Sequence, residues 1–298
     1  MRGVPPGLDG VVGLLACPHC AGPLGRDGRV LRCPGGHAYD IARQGYASLL
    51  APSARTGTAD TADMVAARAE LLAAGHFAAV TRALAEVATE VVNGVVAGCG
   101  AAGTGPGTVV DVGAGTGHHL AGVLDASPGC VGIALDVSRH AARRAARVHP
   151  RVGAVVADAW GRLPVRDGVA AVVLDVFAPR NGAEAARVLA PGGALLVVTP
   201  APGHLRELAG PLGMLEIDEA KPRRLAEALG PYLEHEVTRE VSARLRWGRA
   251  DAERAAAMGP SAWHVGPAER RERASRLPDV LDVTLAVELS TWRRVGAD

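Results

Sequence analysis

From Val109 onward, short apolar runs at 109–112, 131–135, 153–157, 169–176 and 193–199 alternate with longer stretches of mixed polarity. Runs of this length bounded by turn residues suit strands buried on both faces, and the segments between them can form helices. The alternation predicts βαβ units and a parallel sheet. Upstream, Met64, Arg68, Leu71 and Leu72, then Val80, Leu84 and Val87, predict two helices broken at Gly75-His76, with Asp60 or Thr61 as the start signal. Downstream, the pattern predicts a charged helix at 221–229, a strand at 235–246, a helix at 251–258 and a last strand at 280–290. Residues 14–50 hold only short strand-like pieces between Gly and Pro turns, and 51–59 read as a linker. The expected division is 1–52, a small separate unit; 53–107, linker and helices; and 108–298, the α/β domain.

Composition narrows the class. With 48% hydrophobic and 21% charged residues and a formal net charge of +1, the 298-residue chain reads as globular, neither strongly acidic nor strongly basic. Lys221 is the single lysine, so positive charge is carried by arginine. The uncharged run 91–110 is long enough for a membrane helix, but its six glycines, Asn93 and Pro106 make it the end of a helix plus a loop. No membrane partner is expected, and the compartment expected is the cytoplasm. Leu14-Leu15-Ala16-Cys17 resembles a lipoprotein cleavage site, but Pro5, Pro6 and Asp9 interrupt any apolar segment before it. Four Trp, three Tyr and two Phe are few, so each exposed ring counts.

Of five cysteines, Cys17, Cys20 and Cys33 cluster while Cys99 and Cys130 stand apart, which is not a disulfide framework. Cys17-x2-Cys20, followed by Cys33-x3-His37, supplies three thiolates and an imidazole, a ligand set that suits one tetrahedral Zn2+. Pro18 and Pro34-Gly35-Gly36 provide the turns that let both pairs face one ion, and so small a unit needs a metal to stay folded. Four protein ligands leave no open position, so the zinc is expected to be structural and the unit to recognise substrate.

Val109-Val110-Asp111-Val112-Gly113-Ala114-Gly115-Thr116-Gly117 is a buried strand running into a glycine turn and a helix, where a doubly wound sheet binds nucleotide-like ligands. His118 stands where a dinucleotide fingerprint needs its third glycine, which argues against NAD. The segment resembles the first motif of the class I S-adenosylmethionine-dependent methyltransferases. That likeness implies a Rossmann-like α/β fold, with Asp111, Gly113, Gly115, Gly117 and His118 around the cofactor. Asp136 ends the second strand, placed for the ribose hydroxyls, and the likeness implies that Asp158, which ends the third, or a neighbouring backbone group meets the adenine. At a strand-to-helix turn an Asp can also be a helix cap.

Three further segments carry a resemblance to one family: Asp40-Ile41-Ala42-Arg43-Gln44-Gly45-Tyr46 beside the cysteine knuckle; Asp63-Met64-Val65-Ala66-Ala67-Arg68 with Gly75-His76-Phe77; and Ala257-Met258-Gly259-Pro260-Ser261-Ala262-Trp263-His264. From about residue 14 to the end the chain resembles the RlmA family of 23S rRNA guanine-N1 methyltransferases, and its Gram-positive tylosin-resistance branch in particular. The resemblance implies a zinc domain that helps hold an rRNA hairpin, a homodimer, and methylation of a guanine in the domain II hairpin near the exit tunnel where macrolides bind. His76 and Phe77 would then close over the cofactor.

Methyl transfer from a sulfonium needs orientation above all, but guanine N1 carries a proton that must leave. Asp175, ending the fourth strand, and His204, after the fifth, are the candidates to accept it. A paired guanine hides N1, so a base must be held out of its stack, and Trp263 is the ring expected to hold it. Arg26, Arg29, Arg32 and Arg43 on the zinc domain are the expected RNA contacts, ahead of Arg143 and Arg147, which share a helical face. The alternatives are a small-molecule methyltransferase of natural-product metabolism and a non-catalytic cofactor-binding scaffold.

Overall fold

A computed structural model describes residues 6–51, 53–54, 56–57, 59–98, 107–214 and 221–295. Cys99 and Val4 fall outside them. The chain opens with a short helix α1 (Pro6–Val11), then forms a three-stranded antiparallel ribbon of β1 (Gly25–Asp27), β2 (Val30–Arg32) and β3 (Ala38–Asp40). After the two-residue strand β4 (Ala47–Ser48) come α2 (Ala62–Ala73) and α3 (Ala78–Gly98). Thr61 is the cap that starts α2, its hydroxyl accepting from the Met64 N–H at 3.3 Å.

The main domain runs β5 (Gly107–Val112), α4 (His118–Ala126), β6 (Cys130–Asp136), α5 (Arg139–Ala145), β7 (Val152–Val156), β8 (Ala170–Val176), α6 (Gly182–Val188), β9 (Leu189–Pro200), α7 (Arg206–Leu212) and α8 (Lys221–Leu229). It closes with β10 (Leu233–Gly248), α9 (Arg249–Ala257), α10 (Pro267–Ser275) and β11 (Val280–Arg294). The sheet order is β10-β11-β9-β8-β5-β6-β7-β4, parallel from β9 to β4, with β10 and β11 antiparallel on the far side. Strand order reverses between β5 and β8, and a ligand crevice is expected at the carboxyl ends of the strands beside such a switch.

Alternation along each strand builds two cores. Val109, Ala134, Ala154, Val172 and Leu196 face α3 and α4, while Val110, Ile133, Val155, Val173 and Leu195 face α1, α6 and α8. The parallel strands therefore read as continuous apolar runs because both faces are covered.

The division at residue 52 is corrected by the packing. The residues before the knuckle belong to the main domain: Leu8 and Val11 lie in the second core, and a Cβ on Gly7 would sit 2.1 Å from the Val152 carbonyl oxygen. β4 extends the main sheet by pairing in parallel with β7, and Leu15 bridges to Val165. The zinc-binding ribbon is thus a projection pinned to the sheet at both ends.

Candidate active site and metal centre

Cys17 and Cys20 sit on a tight turn held by the Ala21 N–H donating to the Cys17 carbonyl at 2.8 Å, with Ala21 at φ 58°. Cys33 follows β2 and His37 precedes β3, so one hairpin end supplies the second pair. All four ligand atoms lie within 4.8 Å of one another, with Cys20 Sγ 3.6 Å from Cys33 Sγ, and His37 Nδ1 3.3 Å from Cys33 Sγ and 3.5 Å from Cys17 Sγ. Those are about the edge lengths of a tetrahedron with zinc–ligand distances near 2.0–2.3 Å. The residues therefore fit one structural zinc. Burial raises the Cys17 thiol pKa, but hydrogen bonds from Tyr39 Oη, at 3.1 Å, and from the backbone at Cys20 and His19 outweigh it and bring the thiol to about 6. His19 is exposed and stacks on His37 at 4.7 Å.

The switch point holds a crevice of about 330 Å3, within the size range of small-molecule sites. Its floor is the turn after β5, where Gly113, Gly115 and Gly117 have φ of 69°, 55° and 76°, a region that favours glycine. At Gly113 there is no room for a side chain either, since a Cβ would meet that of Ala178 at 2.6 Å. Asp136 clamps the turn: its Oδ2 accepts from the Gly115 N–H at 2.8 Å and its Oδ1 from the Ser138 N–H at 2.7 Å. A carboxylate has about four acceptor positions, so both oxygens can still meet ribose hydroxyls. Asp158 accepts from the Trp160 N–H at 2.9 Å and lines the other end of the crevice, and His118 opens α4 beside it.

Acidic groups gather beneath this turn. Asp111 is buried and lines the crevice; burial, then the charges of Asp136 and Asp175, push its carboxyl well above the usual range. Burial also raises Asp136, partly offset by the backbone N–H groups of Ser138 and Gly115. His119, half-buried beside His118, is pushed down to about 3 by burial first, and its Nδ1 lies 2.9 Å from Thr81 Oγ1.

None of the three residues expected to act in the reaction lines the crevice. Asp175 stands behind the wall, 4% exposed, accepting from the Ala178 N–H at 3.3 Å; burial lifts its pKa to about 7, against the opposing pull of Arg180. His204 packs its ring 6.4 Å from Phe77 and 5.9 Å from Phe177, and its Nδ1 accepts from the Ala286 N–H at 3.3 Å. The neutral ring then carries its proton on Nε2, and its lone pair, on Nδ1, is engaged by that N–H. Trp263 is exposed on a short turn, 260–263, outside the crevice lining.

His76 is likewise corrected. Its ring tilts against Trp247 at 4.9 Å, with Nε2 3.1 Å from Asp251 Oδ2, facing β10 and α9. Its neighbour Phe77, 1% exposed, is the one that reaches the crevice. Of the zinc-ribbon arginines, Arg26 is ion-paired with Asp9, Arg29 donates to the Ile41 carbonyl at 3.1 Å and Arg32 lies 3.6 Å from Asp27. Arg43 is exposed.

Arg68, Trp160 and Asp60 line the crevice though the sequence pattern assigns them no part in the site, and Phe177, which the sequence places at the pocket edge behind Trp263 as a stacking ring, lines it as well. Arg68 of α2 is ion-paired with Asp60, donates to the Met258 carbonyl at 2.6 Å and passes 3.2 Å from the Cβ position of Gly115. It therefore ties the helical cover to the crevice floor and to the segment after α9. Phe177 has φ 56°, rare for a bulky side chain, and is 42% exposed at the mouth, while Trp160, beside Asp158, is 55% exposed. Asp60 completes the set. Arg68 was within a quoted motif, but no spacing rule announces a left-handed phenylalanine.

A doubly wound sheet with this strand order, a glycine turn cradled by an acidic strand end, and a Cys3His zinc ribbon define a class I S-adenosylmethionine-dependent methyltransferase. Residues 15–54 match the zinc-ribbon family described as "RlmA, N-terminal". The Streptomyces fradiae 23S rRNA (guanine(748)-N(1))-methyltransferase is 49% identical over 95% of this chain and 98% of its own length. A Micromonospora griseorubida protein, provisionally named a 23S rRNA (guanine-N(1)-)-methyltransferase, is 50% identical over 94% of this chain and 97% of its own. Among solved structures, a geranyl diphosphate methyltransferase with GPP and sinefungin has a TM-score of 0.38 at 18% identity, over 68% of this chain and 78% of that one. The chain belongs to the RlmA family of 23S rRNA (guanine-N1)-methyltransferases.

Proposed function

We propose that this protein methylates N1 of a guanine in the domain II hairpin of 23S rRNA, at the position equivalent to guanine 748 in the name of the Streptomyces fradiae relative. The observation that carries the reading is a single chain joining an RlmA-type ribbon to a crevice at the sheet's switch point, matched over 95% of its length by that relative. It acts in the cytoplasm, as a homodimer, and its product lies where macrolides bind, so expression lowers susceptibility to tylosin-type drugs.

S-adenosylmethionine would supply an electrophilic methyl group when bound; Asp136 would hold its ribose and Asp158 its adenine. The protein's own work is to hold the base and remove its proton. Phe177, fixed outward at the crevice mouth, offers a face for the extruded guanine; Phe77 and His204 buttress that ring. Asp175 positions the 175–178 turn through Ala178. Asp111 lines the crevice beside the glycine turn, and we assign it a place in holding the cofactor.

Labelled methyl transfer from S-adenosylmethionine to unmodified 23S rRNA tests the reading. Label in the RNA supports it; cofactor binding without label in any rRNA overturns it and favours a small-molecule acceptor.

A further inference from the structure

A second concavity, about 610 Å3, lies between α2 and α5 and adjoins the cofactor crevice: Leu72, Thr116 and His118 line both. One wall is α2, presenting Ala62, Ala69 and Ala73, side chains too small to fill the space. The other is the α5 segment, presenting Arg143, Arg144 and Arg147 with His140. Among the described residues no carboxylate lines the groove.

Among the described residues none of these three arginines has an ion-pair partner, and all are exposed. Arg187 and Arg254 show the contrast: Arg187 meets Asp167 and Glu184, and Arg254 meets Glu70 and Asp251. An uncompensated cationic wall facing an open, uncharged one is the electrostatic footprint of an anion track. Arg143 and Arg144 in the last turn of α5, and Arg147 in the turn that follows it, line the groove in succession, an arrangement that suits successive phosphates of a strand better than one isolated anion.

We infer that this groove, rather than the zinc ribbon's arginines, is the principal phosphate-binding surface, holding the RNA strand that leads to the target guanine. The inference rests on the RNA reading above and adds where the backbone lies. Three of the four ribbon arginines already have intramolecular partners, whereas the groove is both unpaired and continuous with the site of methyl transfer.

Binding of the full-length zinc-loaded protein to a transcript of the domain II hairpin, titrated over a range of salt, tests it. Arg143→Gln/Arg144→Gln/Arg147→Gln is expected to weaken RNA binding about ten-fold or more and to flatten the slope of log K against log salt by about 2, as loss of three phosphate contacts requires. Cofactor affinity should be unchanged, and the triple Lys variant should restore the slope, which a packing role would not. Arg26→Gln/Arg29→Gln/Arg32→Gln should move the slope by less than 1. A Gln triple with wild-type affinity and slope overturns the groove while leaving the RNA reading intact; wild-type protein that neither binds nor methylates the hairpin overturns that reading instead.

Discussion

At the scale of single residues, Phe177 concentrates the cost and the use of the site. A left-handed backbone at a bulky residue costs about 1–2 kcal/mol, and its retention at a cavity mouth fits a functional strain. Phe177→Gly should therefore be about 1 kcal/mol more stable than Phe177→Ala in chemical denaturation, while both lose about ten-fold or more in kcat/KM for RNA. Asp175 makes a separate prediction. Its pKa, raised from 3.8 to about 7, means the native state keeps a proton that the unfolded chain has already released between those values. Stability from this group is thus greatest at low pH and is lost as pH rises through that window. Asp175→Asn should raise the melting temperature at pH 8 relative to the wild type and leave it little changed near pH 4.

At the scale of elements, α2 acts as a strap. Arg68 holds Asp60, the Met258 carbonyl and the surroundings of Gly115 together, and Ser138 Oγ donates to the Asp60 carbonyl at 2.7 Å. Arg68→Ala should weaken S-adenosylmethionine binding by about ten-fold or more in calorimetry, since the hydrogen bonds of a charged group are lost. The zinc ribbon behaves differently, because α1 and β4 pin its ends to the main sheet. Cys17→Ser or chelation should remove one zinc and the ribbon's ordered turn, abolish RNA methylation, and leave cofactor binding in place.

Elements of this kind differ in how far a sequence announces them. The βαβ strands and the break at Gly75 were legible because burial on both faces writes continuous apolar runs and a glycine interrupts helical spacing. The strand β4 is only two residues, and α10, Pro267–Ser275, is so charged that no apolar stripe marks it. In the site, Asp136 and the three glycines were legible because backbone geometry demands those residues at fixed distances from a strand end. Arg68, the left-handed backbone of Phe177 and the choice of Phe77 over His76 were not, because side-chain direction depends on packing between segments far apart in the chain. The same holds for the phosphate surface: pairing of Arg26 with Asp9 and the openness of Arg143 appear only once the chain is folded.

At the scale of the whole molecule, the ribbon, the crevice and the basic groove lie on one continuous chain that its Streptomyces fradiae relative matches over 95% of its length. The proposed homodimer predicts a sedimenting species of about twice the 30.4 kDa chain at micromolar concentration. The measurement that tests the central claim most directly is reverse-transcription mapping of 23S rRNA after incubation with S-adenosylmethionine and the purified protein, because a methyl on guanine N1 blocks pairing and halts the polymerase. The account predicts one new stop, in the domain II hairpin one nucleotide 3′ of the modified guanine, absent with Cys17→Ser. Cofactor turnover with no stop in that hairpin, or stops scattered through the RNA, would contradict it.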